Sequence, residues 1–371
     1  MKKLLIFEPA LSTYRIDFFN TLAKKLSVSA LLTGGRKELA SLGFDLEAVN
    51  QQANFPYYYY SKGLRLGNHL ASSVYYRAIK KFKPDITLTN ELGLNTLTAI
   101  LLKPFFKYKL LTVVDDSPNI ARGYSFLRGM LRAFVVRFVD GMVVVNPQVR
   151  DFYAQKFRRY RCQYYYLPII QDDQILADKF RQALPLSQQI FDQYSLSGTK
   201  VILFVARLVD IKVPGLLLEV FDELYQNNTG LRLAFVGDGP LENELKEYTT
   251  THHLNDAVYF TGRLTGNDLY AWYNIGQILV LPSMLDRFGA VVNEALVAGC
   301  QAVVSDSVGA ECLINETNGA VFKTNDHDDL KNALLQTLER VTPLNKVETR
   351  NNNMEESFSD TMNKFIDFIS K

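Results

Sequence analysis

Short apolar runs alternate with amphipathic stretches along this chain, and the alternation stops and then begins again. In the first part, Leu4–Phe7, Val28–Leu32, Ile86–Thr89, Leu110–Val114 and Met142–Val145 read as strands. Helical spacing falls between them, over Ile16–Leu26, Ser72–Phe82, Leu97–Lys103 and Phe126–Phe138. After residue 200 the rhythm restarts, with strands expected at Val201–Ala206, Leu231–Val236, Ala257–Phe260, Ile278–Leu281 and Ala302–Ser305. Helices are expected there over Gly215–Gln226, Leu241–Thr251, Thr265–Tyr273, Gly289–Ala298 and Asp328–Leu338. Strand–helix alternation restricts a chain to a parallel sheet with helices on both faces. Two rounds of it in 371 residues, more than one core serves well, imply two α/β domains.

Leu167-Pro168 closes the first round, and the polar segment Gln171 to Gly198 reads as a linker holding a helix of its own. The expected domains are therefore 1–170 and 171–354. Beyond a polar stretch at 342–354, Phe358, Met362, Phe365, Ile366 and Ile369 recur at helical spacing. This last helix, within 355–371, is expected to pack back on the first domain.

The formal net charge of +2 conceals a split: residues 1–170 carry +14 and residues 171–371 carry −12. Such asymmetry points to a nucleic-acid or membrane surface. In the basic half the cations lie among aromatics. Tyr57–Tyr60 precede Lys62 and Arg65, and Arg122, Arg128, Arg132 and Arg137 are interleaved with Tyr124, Phe126, Phe134 and Phe138. Lys156, Arg158, Arg159 and Arg161 run into Tyr164–Tyr166. With Arg128, Arg132 and Arg137 read as one helical face, the half is expected to dock on an anionic membrane surface. A solvated basic face explains the same residues, while no nucleic-acid module is visible. Cys162, Cys300 and Cys312 match neither a disulfide framework nor a zinc spacing. Met1-Lys2-Lys3 before Leu4–Phe7 is too short for a signal peptide, with Glu8 and Pro9 following at once. No run reaches the ~20 apolar residues of a spanning helix. The expectation is a cytoplasmic protein, peripheral on the inner face of the membrane.

Three segments of the second half carry chemistry. Arg207 and Lys212 stand in the loop after a strand, at the sheet end where parallel α/β proteins bind ligands. A guanidinium fork and a mobile ammonium both suit phosphate oxygens, though a solvated turn has the same composition. Gly237-Asp238-Gly239-Pro240 follows the next strand. Its glycines would let backbone approach a ligand, with Pro240 opening a helix, or would simply form a tight turn. In Asp286-Arg-Phe288-Gly289-Ala-Val-Val-Asn-Glu294 two carboxylates stand eight positions apart around a helix start whose free N–H groups form an anion site. Glu294 could accept hydrogen bonds from a diol such as ribose. Helix capping and an exposed helical carboxylate are the ordinary explanations for the two acids taken singly.

In order and spacing these segments resemble the donor half of retaining GT-B glycosyltransferases of family 4, the group 1 type. That half has a strand, an Arg, a Lys about five residues on, a Gly-x-Gly-Pro turn, and a Glu-x7-Glu motif enclosing Phe-Gly. Phe260-Thr261-Gly262-Arg263-Leu264 is similar to the segment contacting the nucleotide base, and the likeness covers residues 200–325. The first half offers only its rhythm and Tyr14-Arg15-x-x-Phe18-Phe19-x-x-Leu22, a pattern like that of some members acting on surface polysaccharides. The resemblance implies two Rossmann-like domains with parallel sheets facing across a cleft, the first binding acceptor and the second donor. It implies that Arg207 and Lys212 hold the donor diphosphate, Glu294 the ribose, Asp286 the sugar hydroxyls beside Phe288 and Gly289, with Gly237, Arg263 and Arg15 as further substrate contacts. It implies no metal and no cofactor beyond the nucleotide-diphosphate sugar as substrate. The acceptor would be a glycan or polyprenyl-linked molecule, with lipopolysaccharide or capsule assembly as the setting.

The chain departs from the pattern in two places. Asp286 is one methylene shorter than the usual Glu, and Pro9-Ala10-Leu11 replaces a glycine pair after the first strand. Where a histidine is often found, this chain has Asp115-Asp116. Asp116 is expected to face substrate, unless the pair caps the following Ser117-Pro118. Two alternatives stay open: a sugar-nucleotide epimerase or hydrolase, and a non-catalytic nucleotide-sugar-binding partner of another transferase.

Overall fold

The structure, a computed structural model, describes residues 1–35, 46–60, 62–66 and 69–371, without the side chains of residues 13, 14, 48, 64–66, 69 and 71. Tyr14 and Arg65, both invoked above, therefore lie outside the described side chains. The chain divides into two compact units, Met1–Gln171 with Phe358–Lys371, and Asp172–Ser357.

The first unit holds β1 (Lys3–Glu8), β2 (Ser27–Leu32), β3 (Tyr57–Tyr59), a hairpin of β4 (Leu64–Leu66) and β5 (His69–Ala71), then β6 (Ile86–Asn90), β7 (Lys109–Val114), β8 (Gly141–Val144) and β9 (Gln163–Tyr166). Seven of these form one sheet in the order β3-β2-β1-β6-β7-β8-β9, its pairs all parallel. The second unit holds β10 (Lys200–Val205), β11 (Leu231–Val236), β12 (Val258–Gly262), β13 (Ile278–Leu281), β14 (Gln301–Ser305) and β15 (Gly319–Phe322), parallel in the order β12-β11-β10-β13-β14-β15. Central strands such as Val201–Val205 are buried throughout because helices cover both faces. Each apolar side chain taken out of water this way contributes about 1.5–3 kcal/mol. In both sheets the strand order reverses beside the first strand, between β1 and β6 and between β10 and β13. That switch point opens a crevice at the carboxyl ends of the strands.

The tyrosine runs form strands. Tyr57–Tyr59 and Gln163–Tyr166 are the two edge strands of the first sheet. Tyr165 stacks at 4.6 Å on Phe368 of the last helix, Phe358–Ser370, whose Phe365 also meets Phe18 at 5.5 Å. Several cations of this half stack on its own rings: Lys156 lies 4.5 Å from the Tyr124 ring and Arg159 lies 5.0 Å from that of Tyr160. Arg132 lies buried rather than on an exposed face with Arg128 and Arg137. The single-face reading fails on geometry, since nine positions at about 100° each put residue 137 half a turn from residue 128.

The linker carries the helix Asp173–Gln193, packed on the helix Gly266–Ile275 of the second unit. Asp172 caps its start, accepting from the amides of Gln174 and Ile175. The polar stretch after residue 341 is tied down as well. Arg350 donates to the carbonyl of Tyr273 at 2.6 Å, and Asn353 donates to that of Cys300 at 3.0 Å. Among the described residues no helix is long and apolar enough to cross a membrane.

Candidate functional site

In the second unit the motif residues converge on the carboxyl ends of neighbouring strands. Arg207 follows β10 and is exposed; Lys212 ends the short 3-10 turn Asp210–Lys212. Val213 then takes φ +48°, a strained value for a β-branched residue, and Pro214 opens the next helix. This turn is fixed to the loop after β13, across the switch point, by the Met284 amide donating to the Ile211 carbonyl at 2.9 Å. The Lys212 ammonium donates to the Asp286 carboxylate in a short ion pair, both side chains about one-fifth exposed. The other oxygen of Asp286 accepts from the Phe288 amide at 3.3 Å. Asp286 and Lys212 are thus engaged with each other, a pairing the spacing in sequence did not suggest.

Gly289 stands before the helix Ala290–Val297 at φ +89°, where a Cβ would lie 2.9 Å from Leu281 and 3.0 Å from Val308. Only glycine turns the chain there without displacing neighbours. Phe288 is buried beneath it. A loop that sequence reading passed over straps this turn: Asp286 donates its amide to Ser307 at 3.3 Å, while Gly309 and Ala310 donate to the carbonyls of Asp286 and Phe288 at 3.1 and 2.6 Å. Gly309 is required because a Cβ there would lie 2.1 Å from the Arg287 carbonyl oxygen.

Glu294 projects from the second turn of the helix and accepts from the Tyr273 hydroxyl at 2.9 Å. Tyr273 is fully buried, so desolvation together with this carboxylate holds its phenol far above the ordinary value and keeps it a donor. It fixes the Glu294 rotamer, and nothing in the linear motif marks it.

The glycine turn after β11 packs tightly on its neighbour. A Cβ at Gly237 would lie 1.9 Å from the Ala206 carbonyl oxygen, and one at Gly239 would lie 2.3 Å from that of Leu208. The turn presses on the loop that carries Arg207, and the Leu208 amide donates to Asp238 at 2.8 Å. Pro240 does not open the helix, which begins at Glu242 after a further turn. Arg263 lies exposed just past the end of β12.

In the first unit Asp116 departs from expectation. Its side chain is 4% exposed and is turned into the core, where it accepts from Arg132 at 2.8 Å and from the Tyr153 hydroxyl at 2.5 Å. Arg132 also donates to the Tyr153 oxygen at 3.0 Å. Asp116 is therefore engaged as a core ion-pair partner rather than facing the crevice as expected. Arg15 lies 3.5 Å from Glu8 and 3.9 Å from Asp115, at the ends of β1 and β7. Glu8, which sequence reading used only against a signal peptide, is 2% exposed and accepts from Asn90 at 2.6 Å across the switch point. Burial pushes its carboxyl up to about 7, against the opposing pull of Arg15. A carboxyl raised from 4.5 to about 7 binds more protons folded than unfolded, so the first unit loses stability as pH rises through that window. Glu8→Gln is expected to remove this slope; thermal midpoints from pH 4.5 to 8 check it, and an unchanged slope would show that Glu8 is not the group responsible.

Residues 187–355 match the family model for glycosyl transferases group 1. The alpha-D-kanosaminyltransferase of Streptomyces kanamyceticus is 26% identical over 167 residues, covering 43% of each chain. The UDP-Gal:alpha-D-GlcNAc-diphosphoundecaprenol alpha-1,3-galactosyltransferase of Escherichia coli is 32% identical over 140 residues, covering 37% of this chain and 36% of that one. The chain thus spans less than half the length of these curated relatives. The solved structure of Anabaena Alr3699/HepE in complex with UDP matches over 99% of both chains, with a TM-score of 0.75 and 14% identity. That likeness shows the fold, two α/β units with parallel sheets, of the GT-B glycosyltransferase kind.

Proposed function

We propose, from the match of residues 187–355 to the glycosyl transferases group 1 model, that the chain moves a sugar from a nucleotide-sugar donor to a glycan or lipid-linked acceptor. The observation that carries this reading is the assembly at one switch point of the Lys212–Asp286 pair, the Gly289 helix start and Glu294. A nucleoside diphosphate matches it part by part. The phosphates meet Arg207, Lys212 and the free amides of the helix start, and the ribose diol meets Glu294. Charge developing on the leaving diphosphate is then stabilised by groups already held in place, with the loops across the switch point tied together. Donor phosphate competes with Asp286 for the Lys212 ammonium, and the released carboxylate is left to accept from sugar hydroxyls. Retention of anomeric configuration, with leaving and attack on one face of the sugar, belongs to this reading, as do surface polysaccharide assembly and a membrane-linked acceptor supplied to the basic first unit.

Glu294→Ala tests the donor site. Losing hydrogen bonds to a charged acceptor is expected to weaken nucleoside diphosphate binding about tenfold or more. Calorimetric titration of wild type and variant with uridine and guanosine diphosphates measures it. Equal affinities in the two proteins would remove Glu294 from the site. Product formed from nucleotide sugar alone, at the rate seen with acceptor, would replace transfer by hydrolysis or epimerisation.

A further inference from the structure

The helix Phe126–Phe138 is amphipathic in the wrong sense for a water-facing surface. It buries Arg132 and exposes Phe126 (81%), Leu127 (75%), Met130, Phe134 and Phe138. At about 100° per residue these five apolar side chains fall in one arc of about 120°, which exposed Arg137 shares. The helix Leu94–Phe106 packs beside it, with the Lys103 ammonium donating to the Phe138 carbonyl at 3.0 Å. That helix adds exposed Leu101 (69%) and Phe105 (78%). Next to Phe138 a groove of about 860 Å³ is lined by Lys107, Arg137 and Arg161, with Lys103 paired to Asp140 at 2.7 Å and Lys109 donating to the Phe368 carbonyl at 3.1 Å.

We propose that these two helix faces and the basic groove are a membrane-insertion surface: the apolar side chains enter the headgroup–acyl boundary of an anionic bilayer while the groove takes lipid phosphates. Two observations select a bilayer as the occupant. The apolar side chains protrude, as suits insertion, and the adjoining groove is cationic within a half of charge +14. Cations near an anionic leaflet attract it, and rings such as those of Phe126 and Phe134 suit its boundary. The surface revises the arginine-face expectation: the inserting residues are apolar, Arg137 lies among them at the edge of the groove, and Arg132 takes no part. The proposal deepens the reading of a membrane-linked acceptor, and vesicle binding is measured without nucleotide or acceptor, so its failure leaves the donor assignment untouched.

The test is flotation of the full chain with vesicles of phosphatidylcholine alone or with phosphatidylglycerol added. Wild type is expected to float with the anionic vesicles. Phe126→Ser with Leu127→Ser, both exposed and so not needed for folding, should weaken that binding about tenfold or more. Lys107→Gln with Arg161→Gln should weaken it about fivefold per cation, and on anionic vesicles only. Circular dichroism and nucleotide affinity should be unchanged in all variants. Wild type that ignores anionic vesicles, or serine variants that bind them as well as wild type, would overturn the proposal. A stable dimer that the serine variants dissolve, with no vesicle binding, would overturn it in favour of a second copy of the chain.

Discussion

Lys212→Met should lower kcat/KM by about 10²–10³-fold, the cost of removing one preorganised donor from developing negative charge. The loss should fall mainly on kcat, because Arg207 and the helix start still hold the diphosphate in the ground state. Folding should hardly change: the Lys212–Asp286 pair is partly exposed, and such pairs contribute about 0–1 kcal/mol. Lys212→Arg should not restore the rate, since a planar fork cannot occupy the place of a point charge beside Asp286. Steady-state kinetics with a thermal unfolding scan of each variant decides the matter. A variant that turns over like wild type would remove Lys212 from the chemistry, and one that unfolds would make the pair structural.

Asp116→Ala should destabilise the first unit by about 3–5 kcal/mol, because it strands the buried Arg132 guanidinium beside Tyr153. For a unit of this size that lowers its melting transition by about 10 °C. Replacing both partners, Asp116→Leu with Arg132→Met, should recover much of the loss, since two apolar side chains leave no unpaired charge. Calorimetry resolving the two units measures this. An Asp116→Asn protein that melts like wild type but has lost turnover would return Asp116 to the substrate site.

The fold was legible because alternation and buried apolar strands are local signals. Val201–Ala206 was expected and β10 is Lys200–Val205. The edge strands of the first sheet were not legible. Tyr57–Tyr59 and Gln163–Tyr166 are polar-tipped, half-covered segments whose tyrosines, beside cations, read equally as interface anchors. In the second unit Arg207, Lys212, Asp286 and Glu294 could be picked out because each stands at a fixed distance from a strand end. Tyr273 and the Ser307–Ala310 strap could not, since they reach Glu294 and Asp286 only through tertiary packing. Asp115 and Asp116 are adjacent and chemically identical, and only the turn after β7 sends one toward Arg15 and the other into the core. The acidic and basic halves follow the same logic: net charge located the split, but burial decided which arginines face outward.

The most direct measurement is a crystal structure of the chain soaked with a nucleotide-diphosphate sugar. The account predicts density at the β10–β13 switch point, with the diphosphate against Arg207, Lys212 and the amides after Gly289, the ribose on Glu294, and the Lys212–Asp286 pair opened. Nucleotide bound elsewhere, or bound there with Lys212 still on Asp286 and no ribose on Glu294, would contradict it.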